Sequence, residues 1–147
     1  NIGEVLTRGV EFAAGTSFLD DKLNINFSYT RQLATDESAD SPTKGSQIVY
    51  IPQEIISGYL TFKFKLITTG ITGQYSSFRY SLPGNSYDSV MPEYLLIDLF
   101  SEIEFRIAGS KLSFRIDLKN IFDENYSIIE NYPMPGRYIR AGIRAKI

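Results

Sequence analysis

The 147-residue sequence contains no cysteine and no histidine. The first absence excludes disulfides, thiolate metal sites and thiol nucleophiles. The second removes the usual general base and the commonest metal ligand. Charge of one sign is lacking too: 15 Lys and Arg stand against 17 Asp and Glu, a net charge of −2. A nucleic-acid partner is therefore not expected, because its electrostatic footprint is basic. No run approaches the roughly 18 apolar residues of a spanning helix. The richest stretch, Tyr94-Leu95-Leu96-Ile97-Asp98-Leu99-Phe100, is interrupted by Asp98. Residues 1–20 lack a charged segment followed by an apolar one, so no signal peptide is expected there. These absences count against most enzyme classes, and no catalytic residue, metal or cofactor is expected.

Aromatic residues and alternation are what the chain has. Ten Tyr and ten Phe, but no Trp, make up 14 % of a sequence that is 43 % hydrophobic and 22 % charged, the balance of an ordered chain. Apolar and polar residues alternate with period two, the strand signature. Leu112, Phe114, Ile116 and Leu118 oppose Ser113, Arg115, Asp117 and Lys119. Residues 23–30, 58–66, 93–107 and 138–147 follow the same rule, and weaker segments lie near 7–15 and 71–81. In the last of these a bulge at Ser76-Ser77 restores the alternation. Seven strands are expected.

The connections are sorted by length. Short turns near 17–21, 67–70 and 108–111 alternate with loops at 33–51, 82–92 and 121–136. Membrane barrels sort their loops this way, short on one side and long on the other. Alternation alone does not separate a membrane barrel from a soluble sheet with one wet face, so a soluble all-β ligand-binding or adhesion module remains the alternative. Strand length favours the barrel, since tilted spanning strands need about 9–11 residues and globular strands average about 5–6. Seven is an odd number for an up-and-down barrel, and two open edges are intolerable in lipid. Residues 1–147 are expected to be the end of a longer barrel.

Specific motifs carry this further. Asn120-Ile121-Phe122-Asp123-Glu124-Asn125-Tyr126, followed by Tyr132-Pro133-Met134-Pro135-Gly136-Arg137, resembles the C-terminal barrel of TonB-dependent outer-membrane receptors. Thr7-Arg8-Gly9-Val10-Glu11-Phe12, Tyr50-Ile51-Pro52 and Met91-Pro92-Glu93-Tyr94 match the same template in the same order. One departure is Ile147, where the family usually ends on an aromatic residue. The resemblance implies an antiparallel up-and-down transmembrane barrel of twenty-two strands around an N-terminal plug, of which this chain is the last seven. It also implies a bacterial outer-membrane location, import of an iron–siderophore chelate or cobalamin, and energy from the TonB complex. Lipid, lipopolysaccharide, the plug and the rest of the barrel are the implied partners. The short turns would be periplasmic and the long loops extracellular, with Tyr50, Tyr94 and Tyr138 near the outer strand ends, where an aromatic girdle sits.

Within that frame, Tyr80, Tyr87 and Tyr132 are the ligand-loop candidates. Asn120, Phe122, Asp123, Tyr126, Pro135, Gly136 and Arg137 are read as structural, with Asn120 and Asp123 capping backbone groups in a turn. Glu102 and Glu104 share a face and invite an acid–base reading, a small hydrolase; a charge-balanced lumen wall is preferred. Asp36, Glu37 and Asp40 lie close together but lack a calcium-loop pattern. Arg137, Arg140, Arg144 and Lys146 are read as a basic stripe on the last strand, facing plug or barrel carboxylates. Asn26-Phe27-Ser28 and Asn125-Tyr126-Ser127 match a glycosylation pattern without meaning in this setting.

Overall fold

A computed structural model describes residues 3–107 and 109–146. Seven strands form one antiparallel sheet in chain order: β1 (Val5–Phe18), β2 (Leu23–Asp36), β3 (Glu54–Phe64), β4 (Ile67–Ser76), β5 (Tyr94–Ile107), β6 (Ser110–Lys119) and β7 (Tyr138–Lys146). Every strand pairs only with its sequence neighbours, and β1 and β7 form the two edges. Seven strands at about 4.8 Å span about 34 Å. Two small ladders, Arg79–Tyr80 with Val90–Met91 and Ser127–Ile129 with Tyr132–Pro133, lie in the loops beside a single 3₁₀ turn, Tyr87–Ser89. Ala108 and Ile147, the position noted above for lacking an aromatic, lie outside the described residues.

Three tight turns lie at one end of the sheet and three long loops at the other. The strands are longer than the alternation implied, with β1 and β2 each reaching 14 residues, because both run on past the apolar stretch into the loop region. The turn expected at 67–70 is a two-residue connection at Lys65-Leu66, closed by the Phe64–Ile67 pair. Lys65 carries a φ of 54°, the positive first position of a type II′ hairpin. Gly70 is therefore mid-strand: the Phe100 ring lies over it, and an added Cβ would meet Phe100 Cε1 at 2.6 Å and the Leu60 carbonyl at 2.7 Å. Ser76-Ser77 is not a bulge. The strand ends at Ser76, and Ser77 closes it by accepting the Glu54 N–H on its Oγ at 3.0 Å while its own N–H donates to the Glu54 carbonyl. The first turn spans residues 19–22, with positive φ at Leu19, Asp20 and Asp21. Gly109, φ 86°, serves the third, and Ser110 and Lys111 already belong to β6.

Directly opposed residues share a face, so the register sorts every side chain. One row across all seven strands reads Thr16, Ile25, Leu60, Ile71, Leu99, Leu118, Ile139. The corresponding row on the other face reads Ser17, Asn24, Thr61, Gly70, Phe100, Asp117, Arg140. The apolar face runs along β5 from Leu95 to Ile107 with only Ser101 polar, about 40 Å of strand at ~3.3 Å per residue. At a tilt near 40° that is about 30 Å of height, enough for a hydrocarbon core.

Burial is inverted relative to a water-soluble domain. Among the described residues the buried apolar side chains are Ala34 and Met91 alone, whereas Asp36, Gln47, Arg79, Asp117, Asn120 and several serines are buried. Val10, Phe12, Ile139 and Ile143 lie open, Ile143 at 80 % exposure. A soluble sandwich buries its apolar face against a second layer, and this sheet has none. Transferring about ten such side chains to hydrocarbon gains on the order of 15–30 kcal/mol.

The register also corrects the girdle. Tyr94 opposes Ser76 and Tyr138 opposes Lys119, both on the polar face, and Tyr50 sits in a loop at φ 61°. The aromatics at the loop end of the apolar face are Phe12, Tyr29 and Tyr75, in one row with Ile56 and Leu95. Beyond them Arg8, Arg31 and Glu54 end the apolar band, and the Tyr29 hydroxyl donates to Glu54 at 3.0 Å.

Candidate functional site

The polar face divides into two unlike halves. Across β1–β4 it is built mainly from Asn, Ser, Thr, Gln and small residues, with Glu11, Lys63 and, at the loop end, Asp36 its charges within the ladder. A concavity of about 560 Å³ opens there, lined by Asn26, Ser28, Ser57, Tyr59, Gln74 and Asp98 among others. Its walls offer amides and hydroxyls; Ser28 and Ser57 hydrogen-bond across the strands at 2.7 Å.

Across β5–β7 the same face carries cross-linked charges. Asp117 is the centre: Arg115 reaches its Oδ1 at 2.9 Å and Arg140 its Oδ2 at 3.3 Å. Arg115 also meets Glu102 at 3.6 Å and stacks on the Phe100 ring at 3.9 Å. Lys119 donates to Asp98 at 2.6 Å and Lys111 to Glu104 at 2.8 Å. Glu102 and Glu104 thus each face a cation, and this geometry is that of a wall and not of an acid–base pair. Arg137 is not part of the stripe. It precedes β7, its N–H donates to Asp123 Oδ1 at 2.6 Å, and its guanidinium reaches the Ile121 carbonyl.

At the loop end, polar side chains order the three long connections. Asp36, at the tip of β2 beyond the apolar band, accepts from Ser41 Oγ at 2.5 Å, Ser38 N–H at 2.9 Å and Thr43 Oγ at 2.9 Å. The Ser41 hydroxyl first, with Ser38 and Thr43, holds its carboxyl well below the usual carboxylate range. Glu37 accepts from Thr35, and no group of three acidic side chains among the described residues is arranged to hold a metal. Loop 37–53 is tied to loop 77–93 by a two-way bond: the Gln47 N–H donates to Asn85 Oδ1 at 2.5 Å, and Asn85 Nδ2 returns to the Gln47 carbonyl at 2.9 Å.

Arg79 ties loop 77–93 to loop 120–137. It is 3 % exposed. Its guanidinium donates to the Pro92 carbonyl at 3.4 Å and to the Ser127 carbonyl, and lies over the Tyr94 ring at 5.3 Å. Tyr94 in turn packs on Tyr126 with centroids 4.8 Å apart. Burial, then the neighbouring Tyr94, Tyr138 and Asp98, pushes the Tyr126 hydroxyl above its ordinary value. No spacing rule marks Arg79 in the sequence.

Asn120 exchanges hydrogen bonds with the Glu124 backbone, donating to its carbonyl and accepting its N–H, both at 2.9 Å. The Asn120 N–H donates to Asp98 Oδ1 at 2.9 Å. Asp123 sits against Gly136, so the two ends of loop 120–137 meet there. Phe122 is exposed. Of the ligand-loop candidates, Tyr87 is 91 % exposed and Tyr132 69 % exposed, while Tyr80 packs edge-on against Phe78 at 5.9 Å. No ring contact joins the three among the described residues.

An up-and-down sheet of spanning-length strands, apolar outside and polar within, with loops sorted by end, defines a section of membrane β-barrel wall. The family model for the TonB-dependent receptor-like β-barrel matches residues 1–121. The chain belongs to that family. It is 27 % identical over 135 residues to an uncharacterized TonB-dependent receptor of Haemophilus influenzae, covering 86 % of this chain and 39 % of that protein. It is 27 % identical over 132 residues to the ferrioxamine B receptor of Salmonella typhimurium, covering 86 % of this chain and 18 % of the receptor. Among solved structures, the unliganded ferric citrate transporter FecA superposes with a TM-score of 0.82 at 20 % identity, over 97 % of this chain and 24 % of FecA. These structures establish the fold. Members of the family are outer-membrane transport receptors and not enzymes, and the chain spans well under half the length of the curated relatives it matches.

Proposed function

We propose that residues 1–147 form the C-terminal part of the wall of a larger outer-membrane barrel. Twenty-two strands and a lumenal plug follow from the family resemblance. The whole receptor imports a scarce ligand with energy from TonB. The inverted burial carries this reading: an apolar face without a second layer and an open edge on either side need lipid and further strands. A soluble binding or adhesion module would require the opposite distribution. The ligand class is ferric siderophore in preference to cobalamin, since a relative is a ferrioxamine B receptor and a structural neighbour a ferric citrate transporter. Tyr87 and Tyr132, exposed on extracellular loops, are the contact candidates; Tyr80 supports its loop.

Single-cysteine labelling tests the topology, and the cysteine-free sequence keeps this segment's background clean. In intact cells making the full-length receptor, an impermeant maleimide should label Tyr87→Cys. It should label Asp20→Cys only after permeabilisation and Leu99→Cys not at all. Labelling of Asp20→Cys from outside, or equal labelling of all three, would refute the orientation or the barrel. Growth of a siderophore-uptake-deficient host on ferrioxamine B or ferric citrate as sole iron source tests the ligand class; no such growth, with rescue instead of a cobalamin-requiring, cobalamin-uptake-deficient host, would overturn it.

A further inference from the structure

The loop between β4 and β5 is itself a folded hairpin. Residues 79–81 run against 89–91: Arg79 pairs with Met91 and Tyr80 with Val90, and the Ser81 N–H donates to the Ser89 carbonyl at 2.8 Å. The tip is closed by Gly84 and Asn85, both at positive φ, and by the Ser89 hydroxyl, which donates to the Ser86 carbonyl at 2.8 Å. Ser81 and Ser89 are buried, so this small ladder is shielded from water. Each end of the hairpin holds a different neighbour. On one side, Asn85 at the tip makes its two bonds with Gln47, and the Tyr50 N–H donates to the Tyr80 carbonyl at 2.8 Å. Gln47 is buried, and its side chain also donates to the Ile51 carbonyl at 2.6 Å and accepts from Gln53 at 2.7 Å. On the other side, Arg79 at the base reaches the Ser127 carbonyl, and Met91 borders one cavity of about 200 Å³ together with Tyr126 and Met134. Among the described residues no hydrogen bond joins loop 37–53 directly to loop 120–137.

We propose that hairpin 79–91 is a strut that couples loop 37–53 to loop 120–137, so that a change at the Gln47–Asn85 joint alters loop 120–137, which that joint does not touch. Such coupling travels through contiguous bonded groups, and here each link is buried or made twice. Tyr87 rides on the strut and Tyr132 on loop 120–137. A ligand held by Tyr87 therefore acts on the loops to both sides. That consequence rests on the ligand role proposed above, whereas the coupling itself is tested without ligand.

The test is amide hydrogen exchange of the full-length receptor in lipid vesicles. Asn85→Gly deletes both bonds to Gln47 and keeps a residue at ease with the positive φ of 56°. It should speed exchange in residues 44–48 about tenfold. Across the strut it should also speed exchange about threefold in residues 126–134, where the Met134 N–H donates to the Tyr126 carbonyl. Asn85→Asp keeps the bond accepted from the Gln47 N–H and should show smaller changes in both segments. With Arg79→Met in the background, Asn85→Gly should still act on residues 44–48 and have no further effect on 126–134, because the strut is cut at its base. Heat-modifiable gel migration reports that each barrel is folded, and Asn85→Asp carries the same comparison should Asn85→Gly not fold. Unchanged exchange in 126–134 in the folded single variants would overturn the proposal. So would an equal effect there with and without Arg79, which would assign the coupling to the sheet.

Discussion

Replacing Arg79 with Met tests whether one buried cation holds two of the long loops as a unit. Met approximates the length of the side chain and removes the guanidinium. The bond to the Ser127 carbonyl is charge-assisted and contributes about 1.5–3 kcal/mol. The 3.4 Å contact to the Pro92 carbonyl adds little. The cation over the Tyr94 ring adds about 1–2 kcal/mol in this desolvated setting. Retained methylene packing and water reaching the freed carbonyls offset part of the loss. A net weakening of about 3 kcal/mol corresponds to about a 150-fold rise in local opening. Amide hydrogen exchange of the receptor in lipid vesicles reads this directly. The effect should appear in residues 120–137 as well as 77–93, with the amides of β2 and β3 unchanged. Arg79→Lys should recover only part, because an ammonium does not reproduce the planar fork that spans both carbonyls. Unchanged exchange in 120–137 would refute the clasp, as would a uniform loss of protection across the sheet.

Other consequences are as direct. Gly70→Ala places a Cβ against the Phe100 ring and the Leu60 carbonyl and should cost about 1–3 kcal/mol in a urea titration of the folded barrel. Gly73→Ala, on the same internal strand, has a Cβ that meets only the end of the Ile97 side chain at 3.1 Å and should cost less; equal costs would remove the close-approach explanation. Lys65→Gly should raise stability by about 0.5–1 kcal/mol by relieving a positive φ, and a lower unfolding midpoint would count against the turn geometry. Asp36 has a folded pKa below its ordinary value, so its contribution is present above the unfolded pKa near 4 and is lost as pH falls toward the folded one. Exchange protection at Ser38 and Thr43 should therefore hold from pH 7 to about 5 and fail in stronger acid. Failure already at pH 6, or an unaltered acid profile in Asp36→Asn, would refute that linkage.

Much of this architecture was legible in the sequence because a membrane wall uses both faces of each strand for different solvents. Leu112 to Lys119 alternate without exception, and their register reproduces that alternation. The misplaced elements failed for identifiable reasons. Gly70 read as a turn residue, but glycine in a strand also marks close approach, and the Phe100 ring that demands it is thirty positions away. Tyr94 belongs to the polar face although Leu95, Leu96 and Ile97 follow it; an apolar run hides which parity faces lipid. Arg137 looked continuous with Arg140 and Arg144, yet its odd position and its bond to Asp123 place it in the loop. Arg79 was invisible, since its partners are backbone carbonyls that carry no side-chain signature.

The two halves of the polar face suggest a division of labour along the wall. Strands β5–β7 carry nearly all its charge, and toward the loops that charge is spent internally: each of Asp98 and Asp117 is held by its own cation and by a second donor. Such a lattice is stiff, because moving one member leaves an unpaired charge in a partly desolvated place. Strands β1–β4 present amides, hydroxyls and glycines around an open concavity, groups that exchange one neutral hydrogen bond for another at little net cost. Strands β1–β4 therefore offer exchangeable neutral hydrogen bonds, and β5–β7 a fixed electrostatic frame. The frame ends at the short turns, where Lys111 binds Glu104 and has Arg106 and Lys146 directly opposite it.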